Sequence, residues 1–564
     1  MLCFLNNKND TLIDLIKRSI FKIVKKKIQY TTYDKSFTLK WEDISVEKTK
    51  NNSFGNYSTN VAMSFRFKKK EEVINFANDI ANDLSRKIFA RVNVVEPGFI
   101  NLTISNKFLF KVINKIVKAN DNYGKFNKKK DFYNIEFVSA NPTGLIHIGH
   151  ARNGAYGETL AKIWENFGIT VNREFYINDA GNQIKKLGLS TLIRYKQLYD
   201  VPVELPEDSY HGNEIIDVAK KIKLMCEKKY IDAAFSNEKI EDEEVSDFFS
   251  TYAKDYMLER IKETLENMGI KFDIWFSEKN IHDKSFIDSI LKQLNNNIYK
   301  KDGATWLMTT KLGDDKDRVI IKSDGEYTYF LPDIIYHNIK LSRGYNKIFN
   351  IWGVDHKSYA DRLTIAVILL GYKKEQINIL FQQMVRLTKN GEDFKMSKRS
   401  GQSLTAEDLL NSIGKEAARW FLVSQSFDTH LEIDVEKATS NTSTNSLYYV
   451  QYAHARINQL IEKHKYENPK KFNLLTLDSE IELMCNINDF KPLLECCAKN
   501  YQVHRLITYL TNLAKNYHSY YSNTQIIDKS NPVISSQRYY LSVAVKQIIK
   551  NGLALLDIKA SEKM

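Results

Sequence analysis

The sequence has few cysteines, and none of them belongs to a metal-binding pattern. The five cysteines, Cys3, Cys226, Cys485, Cys496 and Cys497, form no CxxC pair and have no ligand spacing with histidine. Neither a structural zinc site nor a disulfide framework is therefore expected. Cysteines of this kind are typical of reduced surroundings, so we predict a cytoplasmic protein without zinc.

A long apolar run is also missing. Charged residues, among them Asp10, Asp14 and Lys17, interrupt the apolar N-terminal residues, which therefore lack the continuous core of a signal peptide. No window approaches the apolar length that a membrane span needs, and no internal repeat is visible. These absences predict a soluble intracellular protein with no membrane partner.

Positive charge, in contrast, is in excess. The chain has 82 Lys and Arg against 69 Asp and Glu, which gives a formal net charge of +13. Such an excess indicates a polyanionic partner, and nucleic acid is the first candidate. A host whose proteins are generally rich in lysine would explain the charge equally well, so charge alone does not decide.

The chain of 564 residues is long enough for three or four domains, at roughly 150 residues each. Its pattern divides into an N-terminal α/β module over 1–120, an α/β region over 121–385, a basic connection over 386–408 and a helical region over 409–564. Alternating strands and helices in the second region predict a parallel sheet. Charged helical sequence interrupts it at about 190–262.

The most informative stretch is IEFVSANPTGLIHIGHARNG, residues 135–154. An apolar strand ends in a turn that contains Pro142 and Gly144, and a helix is predicted to follow. His147 and His150 would share one face at the start of this helix. Free backbone N–H groups and the helix dipole at such a point can hold an anion.

A second stretch, KNGEDFKMSKRSG at 389–401, carries Lys395 and Lys398 between two glycines. An isolated lysine-rich loop is more often a solvated surface than a site. Here HIGH at 147–150 and KMSK at 395–398 occur in order within an α/β background. Each tetrapeptide is a weak signal alone, and the ordered pair is a strong one.

The ordered pair resembles the signature of class I aminoacyl-tRNA synthetases, and the surrounding residues resemble arginyl-tRNA synthetases. The likeness extends over the whole chain. Among its longest segments are FGNYSTNVAM, EFVSANPTGLIHIGHARNGAYG, YINDAGNQI, GEYTYFLPDIIYH and EAARWFLVSQ. The resemblance implies a Rossmann-type catalytic domain with a parallel sheet, an N-terminal tRNA-contacting module and an all-α anticodon-binding bundle at the C-terminal end.

The resemblance also implies the activity of that family. ATP with Mg²⁺ and L-arginine would give arginyl-adenylate and pyrophosphate, and arginine would then pass to the terminal adenosine of the cognate arginine tRNA. Transfer first to the 2′-hydroxyl, activation that requires bound tRNA and a monomeric state are further traits of the family.

For ATP, the chemistry asks for positioning and charge neutralisation more than for covalent catalysis. His147 and His150 can donate hydrogen bonds to phosphate oxygens, and Gly149 lets the adenosine lie close to the backbone. Lys395 and Lys398 would meet the β- and γ-phosphates as pyrophosphate forms, and we expect Lys398 to matter most.

Further nucleotide contacts are expected from Gly353, Asp355 and His356, which follow a predicted strand and so lie at the carboxyl edge of the sheet. A metal site at Asp355 and His356 is the weaker interpretation because no third ligand has a matching spacing. The family more often has a second histidine where Lys357 stands, so Lys357 has no assigned role.

For arginine, a carboxylate that accepts two guanidinium N–H groups recognises both shape and charge. The resemblance assigns this role to Glu278 and to Tyr329 and Asp333, which would face one pocket if both lay on a helical turn. The ordinary alternatives are a packed ring for Tyr329 and a helix N-cap for Asp333. The substrate's α-amino and carboxylate groups would meet Glu136, Ser139 and Asn141, with Asn141 also near ATP.

For tRNA, the segment LYYVQYAHARI alternates aromatic and basic groups that suit stacking on unpaired anticodon bases, although such aromatics are more often helix core. An amide-rich segment of the N-terminal module is a candidate for the tRNA elbow. The predicted tRNA-binding residues are Asn56, Tyr57, Asn60, Tyr448, Tyr449, Tyr452 and Arg456.

Two alternatives stay open. Another class I synthetase is disfavoured by the N-terminal module and, for the cysteine enzyme, by the missing zinc ligands. A catalytically silent RNA-binding relative would be expected to have a damaged HIGH or KMSK, and both are intact. The lack of an editing insertion suits arginine, because a buried carboxylate left unpaired rejects a wrong substrate by roughly 10⁴–10⁵.

Overall fold

The computed structural model describes residues 12–28, 39–40, 43–49, 54–84, 86, 88–282, 284–389, 391–394, 404–469 and 471–564. These residues form two compact units. The first unit contains the described residues of Met1–Lys128 with Asn166–Gly168 and Asn441–Met564, and the second contains those of Lys129–Glu165 and Ile169–Ser440. Within these ranges no helix is both long and apolar enough to cross a membrane.

The N-terminal part of the first unit is the predicted α/β module. Its helices are α1 (Leu12–Lys27), α2 (Lys70–Asp83) and α3 (Asn106–Ala119), and its strands are β1 (Glu47–Lys48), β2 (Tyr57–Thr59), β3 (Phe89–Val95) and β4 (Phe99–Ile104). The strands pair in antiparallel fashion in the order β1-β2-β4-β3. Apolar side chains of α3, among them Leu109 and Ile113, are fully buried, as expected for the apolar face of an amphipathic helix.

The second unit contains the predicted parallel sheet. Its described strands are β5 (Phe132–Glu136), β6 (Thr170–Ile177), β7 (Ile274–Ser277), β8 (Ile298–Lys301), β9 (Ala304–Leu307), β10 (Arg318–Ile321), β11 (Lys347–Gly353), β12 (Ile377–Gln382), β13 (Val385–Lys389), β14 (Glu392–Asp393) and β15 (Leu431–Asp434). Five of them form a sheet in the order β12-β11-β5-β6-β7, and every neighbouring pair is parallel. Residues 298–321 form a separate antiparallel sheet in the order β10-β9-β8.

The helices of the second unit connect these strands. They are α4 (Ile148–Asn166), α5 (Asn182–Gln197), α6 (Asn213–Cys226), α7 (Glu243–Asn267), α8 (Lys284–Gln293), α9 (Phe330–Ser342), α10 (Lys357–Leu369), α11 (Ala406–Leu422) and α12 (Val435–Thr439). The charged helical insertion forms α5 to α7 and has an apolar cluster of its own, which includes Leu192, Ile222, Phe249 and Met257.

The boundary of the helical region differs from the sequence-based expectation of 409–564. Residues up to Ser440 belong to the second unit. There β15 pairs in parallel with β13, with Val385 opposite Leu431. The pattern gave no sign of this short strand because its partner lies far away in the sequence.

Helices complete the first unit. They are α13 (Ser446–Lys463), α14 (Asp478–Asn488), α15 (Phe490–Asn500), α16 (His504–Asn523) and α17 (Pro532–Leu555). Their packed faces include Val450, Leu510, Leu541 and Ile548, all with no exposed surface. The predicted all-α region at the C-terminal end is confirmed in this part of the chain.

The parallel sheet determines where a ligand can bind. Strand β5 leads through α4 to β6 on one side, and β11 pairs with β5 on the other. The strand order therefore reverses between β5 and β11, and ligands of such sheets bind at the carboxyl ends of the strands at this point. Glu136, Gly353 and Gln382 end β5, β11 and β12 at that edge.

Candidate active site

The two histidines of HIGH lie at the start of α4 with their rings stacked. The ring centroids of His147 and His150 are 3.8 Å apart with an angle of 24° between the planes. His147 Nδ1 accepts hydrogen bonds from the backbone N–H groups of Gly149 at 3.0 Å and His150 at 3.3 Å. His147 thus caps the helix with its ring, where serine or aspartate more often serves.

Both histidines are held neutral. Burial lowers the pKa of His147, and burial together with the neighbouring His147 lowers the pKa of His150 to about 3. His150 Nδ1 accepts from the backbone N–H of His147 at 3.4 Å. Since Nδ1 is an acceptor in each ring, the proton of each neutral imidazole is on Nε2. This geometry suits hydrogen-bond donors and not acid–base catalysts.

Gly149 is needed for a reason that the sequence did not indicate. A Cβ at this position would lie 2.7 Å from Cε1 and 2.9 Å from Nδ1 of His147. The glycine therefore makes room for the folded-back imidazole ring of the same turn. Its expected role toward adenosine stays a prediction.

Four carboxylate side chains lie close together near the carboxyl edge of the parallel sheet. We call Glu136, Asp179, Glu278 and Asp333 the acidic cluster. The negative charges of Asp333 and Asp179 repel that of Glu278, and the charge of Glu136 repels that of Asp333. Burial and then these neighbours raise the pKa of Glu278 to about 7. Burial raises the pKa of Asp333 to about 6, although it accepts a hydrogen bond from the Tyr359 hydroxyl.

Two members of the acidic cluster already have strong partners. Asp179 accepts from the Ser277 hydroxyl at 2.8 Å through both carboxylate oxygens. Glu136 Oε2 lies 2.8 Å from the fully buried Nζ of Lys340. Glu278 differs, because its Oε2 is buried without a hydrogen-bond partner among the described residues. Lys254 Nζ lies 4.0 Å from Asp179 Oδ2, whereas neither Glu278 nor Asp333 has an ion-pair partner among the described residues.

Lys340 was missed by the sequence analysis. It donates to Glu136 and, at 2.7 Å, to Asn350 Oδ1. Burial alone would raise the pKa of Glu136, but the charge of Lys340 lowers it below the ordinary value. His337 Nε2 lies 2.6 Å from Asn350 Nδ2 and its Nδ1 lies 2.8 Å from the Asp333 carbonyl oxygen. The spacing of positions 333, 337 and 340 on one face of α9 was the available signal.

Ser139 and Asn141 lie in the connection between β5 and α4. The Ser139 hydroxyl donates to Glu136 Oε1 at 3.1 Å and accepts from the backbone N–H of Tyr176 at 3.1 Å. Its φ of 40° and the φ of 68° at Val138 are rare for residues with a side chain. Asn141 is exposed and donates to Gln183 Oε1 at 2.9 Å. Only Ser139 of the pair contacts the acidic cluster.

Tyr329 directly precedes α9, and its φ of −56° and ψ of −20° are helical, so its i, i+4 relation to Asp333 is kept. The pocket that the two residues were expected to share stays a prediction. The Tyr329 side chain is 92% exposed. A role of Tyr329 in arginine binding stays a prediction.

The predicted nucleotide residues lie at the end of β11, close to the start of α10. Asp355 and His356 are exposed, with His356 Nε2 at 3.3 Å from Asp355 Oδ2. A Cβ on Gly353 would collide with the Asp355 carboxylate. Lys395 and Lys398 lie outside the described residues. The described part of the chain has no group of three or more His, Cys, Asp or Glu side chains that could hold a metal ion.

In the first unit, two predicted tRNA-binding residues have structural partners instead. Tyr57 is 2% exposed and donates to Asp489 Oδ1 at 2.7 Å, so its ring is not available to a nucleotide. Asn56 Oδ1 accepts from the backbone N–H of Ile104 at 2.7 Å. These side chains hold the β-sheet together and fasten it to the helices. Asn60 is exposed.

The aromatic residues of α13 form a half-exposed stack. The Tyr448 and Tyr452 rings are 6.0 Å apart and nearly parallel, at 7°. The Arg456 guanidinium lies 4.7 Å from the Tyr452 ring and 4.9 Å from the Tyr521 ring. Tyr449 packs against His518 at 4.4 Å. Tyr521, which the sequence analysis missed, extends the stack from α16.

Three family models match the chain. The Arginyl tRNA synthetase N terminal domain matches residues 11–104, the catalytic domain of tRNA synthetases class I (R) matches 112–463, and the DALR anticodon binding domain matches 450–564. The second of these alone covers more than half of the chain.

Relatives match nearly the full length. An arginine–tRNA ligase of Malacoplasma penetrans is 45% identical over 559 residues, which are 97% of this chain and 99% of that protein. One of Bacillus cereus is 38% identical over 532 residues, with 93% and 94% covered. The Thermus thermophilus arginyl-tRNA synthetase structure, at 18% identity, shares the fold with a TM-score of 0.77 over 98% of this chain and 100% of its own. The chain belongs to the arginyl-tRNA synthetase family.

Proposed function

We propose that the chain ligates arginine to its cognate tRNA in two steps, through the residues described above. The observation that carries this assignment is the pair Glu278 and Asp333, two half-buried carboxylates that have no positively charged partner among the described residues and lie at the edge where a parallel sheet binds ligands. A guanidinium offers planar N–H pairs and a permanent positive charge, and it satisfies both needs of such a pair.

In the first step, an oxygen of the arginine carboxylate attacks the α-phosphorus of ATP. A new O–P bond forms while the bond to the β-phosphate oxygen breaks, and pyrophosphate leaves in line. His147 and His150 donate from Nε2 to phosphate oxygens, and Lys395 and Lys398 neutralise charge on the departing pyrophosphate. Mg²⁺ enters with ATP as part of the substrate.

The rest of the amino acid is oriented by the connection after β5. Glu136, kept ionised by Lys340, receives the α-amino group, and Ser139 and Asn141 complete the contacts to the substrate's polar groups. Their positions suit this role because they lie at the same carboxyl edge as Glu278. Gly353, Asp355 and His356 are assigned to the nucleotide.

In the second step, the 2′-hydroxyl of the terminal adenosine attacks the arginyl carbonyl carbon and AMP leaves. The stack of Tyr448, Tyr452 and Arg456 is assigned to anticodon bases, because half-exposed aromatics flanked by a guanidinium suit unpaired bases. We further propose that activation requires bound tRNA and that the protein acts as a cytoplasmic monomer.

Arginine-dependent ATP–pyrophosphate exchange, with and without arginine tRNA, tests this function. We expect exchange with arginine alone among the amino acids, dependent on tRNA, and reduced but still measurable in Glu278→Gln. The exposed Glu326→Gln serves as the matched control and should behave as wild type. Exchange with a different amino acid, or tRNA binding without any exchange, would contradict the assignment.

A further inference from the structure

Helix α4 carries a completely buried arginine two residues after His150. Arg152 has no exposed surface, yet arginine is among the residues least often buried unless it is paired. Arg152 closely follows the HIGH residues on α4, and burying its charge is unfavourable, which together suggest a role in the geometry of the ATP site.

The hydrogen bonds of Arg152 join α4 to two other segments through main-chain carbonyls. Nη1 donates to the carbonyl oxygens of Gln383 at 2.8 Å, Met384 at 3.3 Å and Thr429 at 3.0 Å. Nη2 donates to the carbonyl oxygen of Ser426 at 2.9 Å. Residues 383 and 384 connect β12 to β13, the strand that leads toward KMSK. A planar guanidinium with fixed donors can hold several carbonyls in one arrangement, which an ammonium cannot.

Three more hydrogen bonds support the same junction. Gln382 Nε2 donates to the carbonyl oxygen of Gly149 at 2.9 Å. On the far side of KMSK, the N–H of Ile148 donates to the Leu404 carbonyl at 3.0 Å, and the N–H of Ala406 donates to the Ile146 carbonyl at 2.8 Å. The chain on both sides of Lys395 and Lys398 is therefore bonded to the turn that carries the two histidines.

We propose that Arg152 is a positioning residue for ATP: it fixes the start of β13 relative to His147 and His150. The proposal rests on the proposed function. The bonds on the far side of KMSK are backbone bonds that no side-chain change removes, whereas Arg152 and Gln382 supply the junction on the near side. Losing them leaves the histidines in place and shifts the chain that leads to the lysines.

Arg152→Lys tests the proposal, because it keeps the charge and removes the fork. The measured quantities are KM for MgATP, KM for arginine and kcat in ATP–pyrophosphate exchange with tRNA, together with the melting temperature. We expect kcat/KM for MgATP to fall about 10- to 100-fold, since small misplacements of reacting groups have effects of that size. KM for arginine should stay within about twofold, because the arginine contacts are unchanged. Added guanidinium ion should partly restore Arg152→Ala.

Arg419→Lys is the matched control. Arg419 is likewise buried in the second unit and donates to the Thr159 hydroxyl at 3.0 Å. It should lower the melting temperature without changing the ratio of the two KM values. If Arg152→Lys behaves in the same way, or changes both KM values equally, Arg152 is structural only and the proposal is overturned.

Gln382→Met provides a second variant in case Arg152→Lys does not fold. It removes the bond to Gly149, and a selective rise of several-fold in KM for MgATP is expected. Direct calorimetric titration of MgATP separates this proposal from the proposed function. Weaker MgATP binding by the variants supports the positioning role even if no amino acid supports exchange, and unchanged binding together with unchanged kinetics rejects it.

Discussion

Burial shifts pKa values in opposite directions in the acidic cluster and in the turn that contains His147 and His150. In both, the protein environment disfavours the charged form of the side chain. For Glu278 and Asp333 this raises the pKa to about 7 and about 6. For His150 it lowers the pKa to about 3. The same physical cause makes the acidic cluster favour the binding of a cation and keeps the two histidines uncharged.

The difference shows which groups change their protonation when a substrate binds and which already have the protonation state that binding requires. With pKa values of about 7 and about 6, Glu278 and Asp333 are incompletely ionised near these pH values, and a cation that pairs with them favours their charged forms. The imidazoles donate hydrogen bonds without a change of protonation, because backbone N–H groups occupy their Nδ1 atoms. Glu136 differs from Glu278 and Asp333, because it is already paired with Lys340.

The largest effect is expected for Asp333→Asn, which removes charge from the acidic cluster and conserves shape. A guanidinium deprived of one buried partner loses about 3–5 kcal/mol, so kcat/KM for arginine should fall by about three orders of magnitude at 1.4 kcal/mol per tenfold. Steady-state exchange kinetics measure this change. The exposed Asp361→Asn on α10 is the control, and an equal loss in that variant would refute the assignment.

A smaller loss is expected for His150→Ala, because one hydrogen bond to a charged group contributes about 1.5–3 kcal/mol. Exchange at saturating arginine should slow by about 10- to 100-fold. His150→Gln, whose amide nitrogen can replace an Nε2 donor, should retain more activity than His150→Ala. Equal loss in the two variants would indicate that the imidazole acts by acid–base chemistry instead.

The two sites should also differ in their response to pH. A carboxylate with a raised pKa is protonated as the pH falls, so arginine binding weakens below about pH 7, where Glu278 titrates, and again near pH 6, where Asp333 titrates. KM for arginine should rise by up to about tenfold per pH unit for each titrating group. Glu278→Gln should abolish the upper break. A break in kcat that disappears in His150→Gln would contradict a neutral histidine.

The smallest effect is expected from the first unit, where a buried group has a structural role. Tyr57→Phe removes the bond to Asp489 and should lower the free energy of unfolding by about 1 kcal/mol. Chemical denaturation measures this loss. Below the unfolding range, tRNA affinity should match wild type, and a large drop in affinity would restore Tyr57 to the tRNA surface.

The sequence predicted the parts of the molecule that depend on local pattern. The strand, turn and helix around HIGH, the parallel sheet and the helices after Asn441 are all confirmed. The exposure of Tyr329 could not be predicted, because its helical spacing from Asp333 says nothing about which residues cover its ring.

Contacts between distant residues could not be predicted. Lys340 lies 204 positions from Glu136, and Tyr57 lies 432 positions from Asp489. The spacing of Lys340 from Asp333 places it on one face of α9 without revealing Glu136 as its partner, and a tyrosine among amides carries no sign of Asp489. Only the fold brings these partners together. It shows that the side chains of Asn56 and Tyr57 have structural partners, which the sequence did not indicate.

The most direct measurement is calorimetric titration of arginine at about pH 6.5 in buffers of different ionisation enthalpy. If Glu278 and Asp333 wait for a cation, arginine binding releases protons, so the observed heat changes with the buffer. We expect this release in the wild type and less of it in Glu278→Gln. A binding heat that is independent of the buffer would contradict the account, because it would mean that the pair is fully ionised before arginine binds.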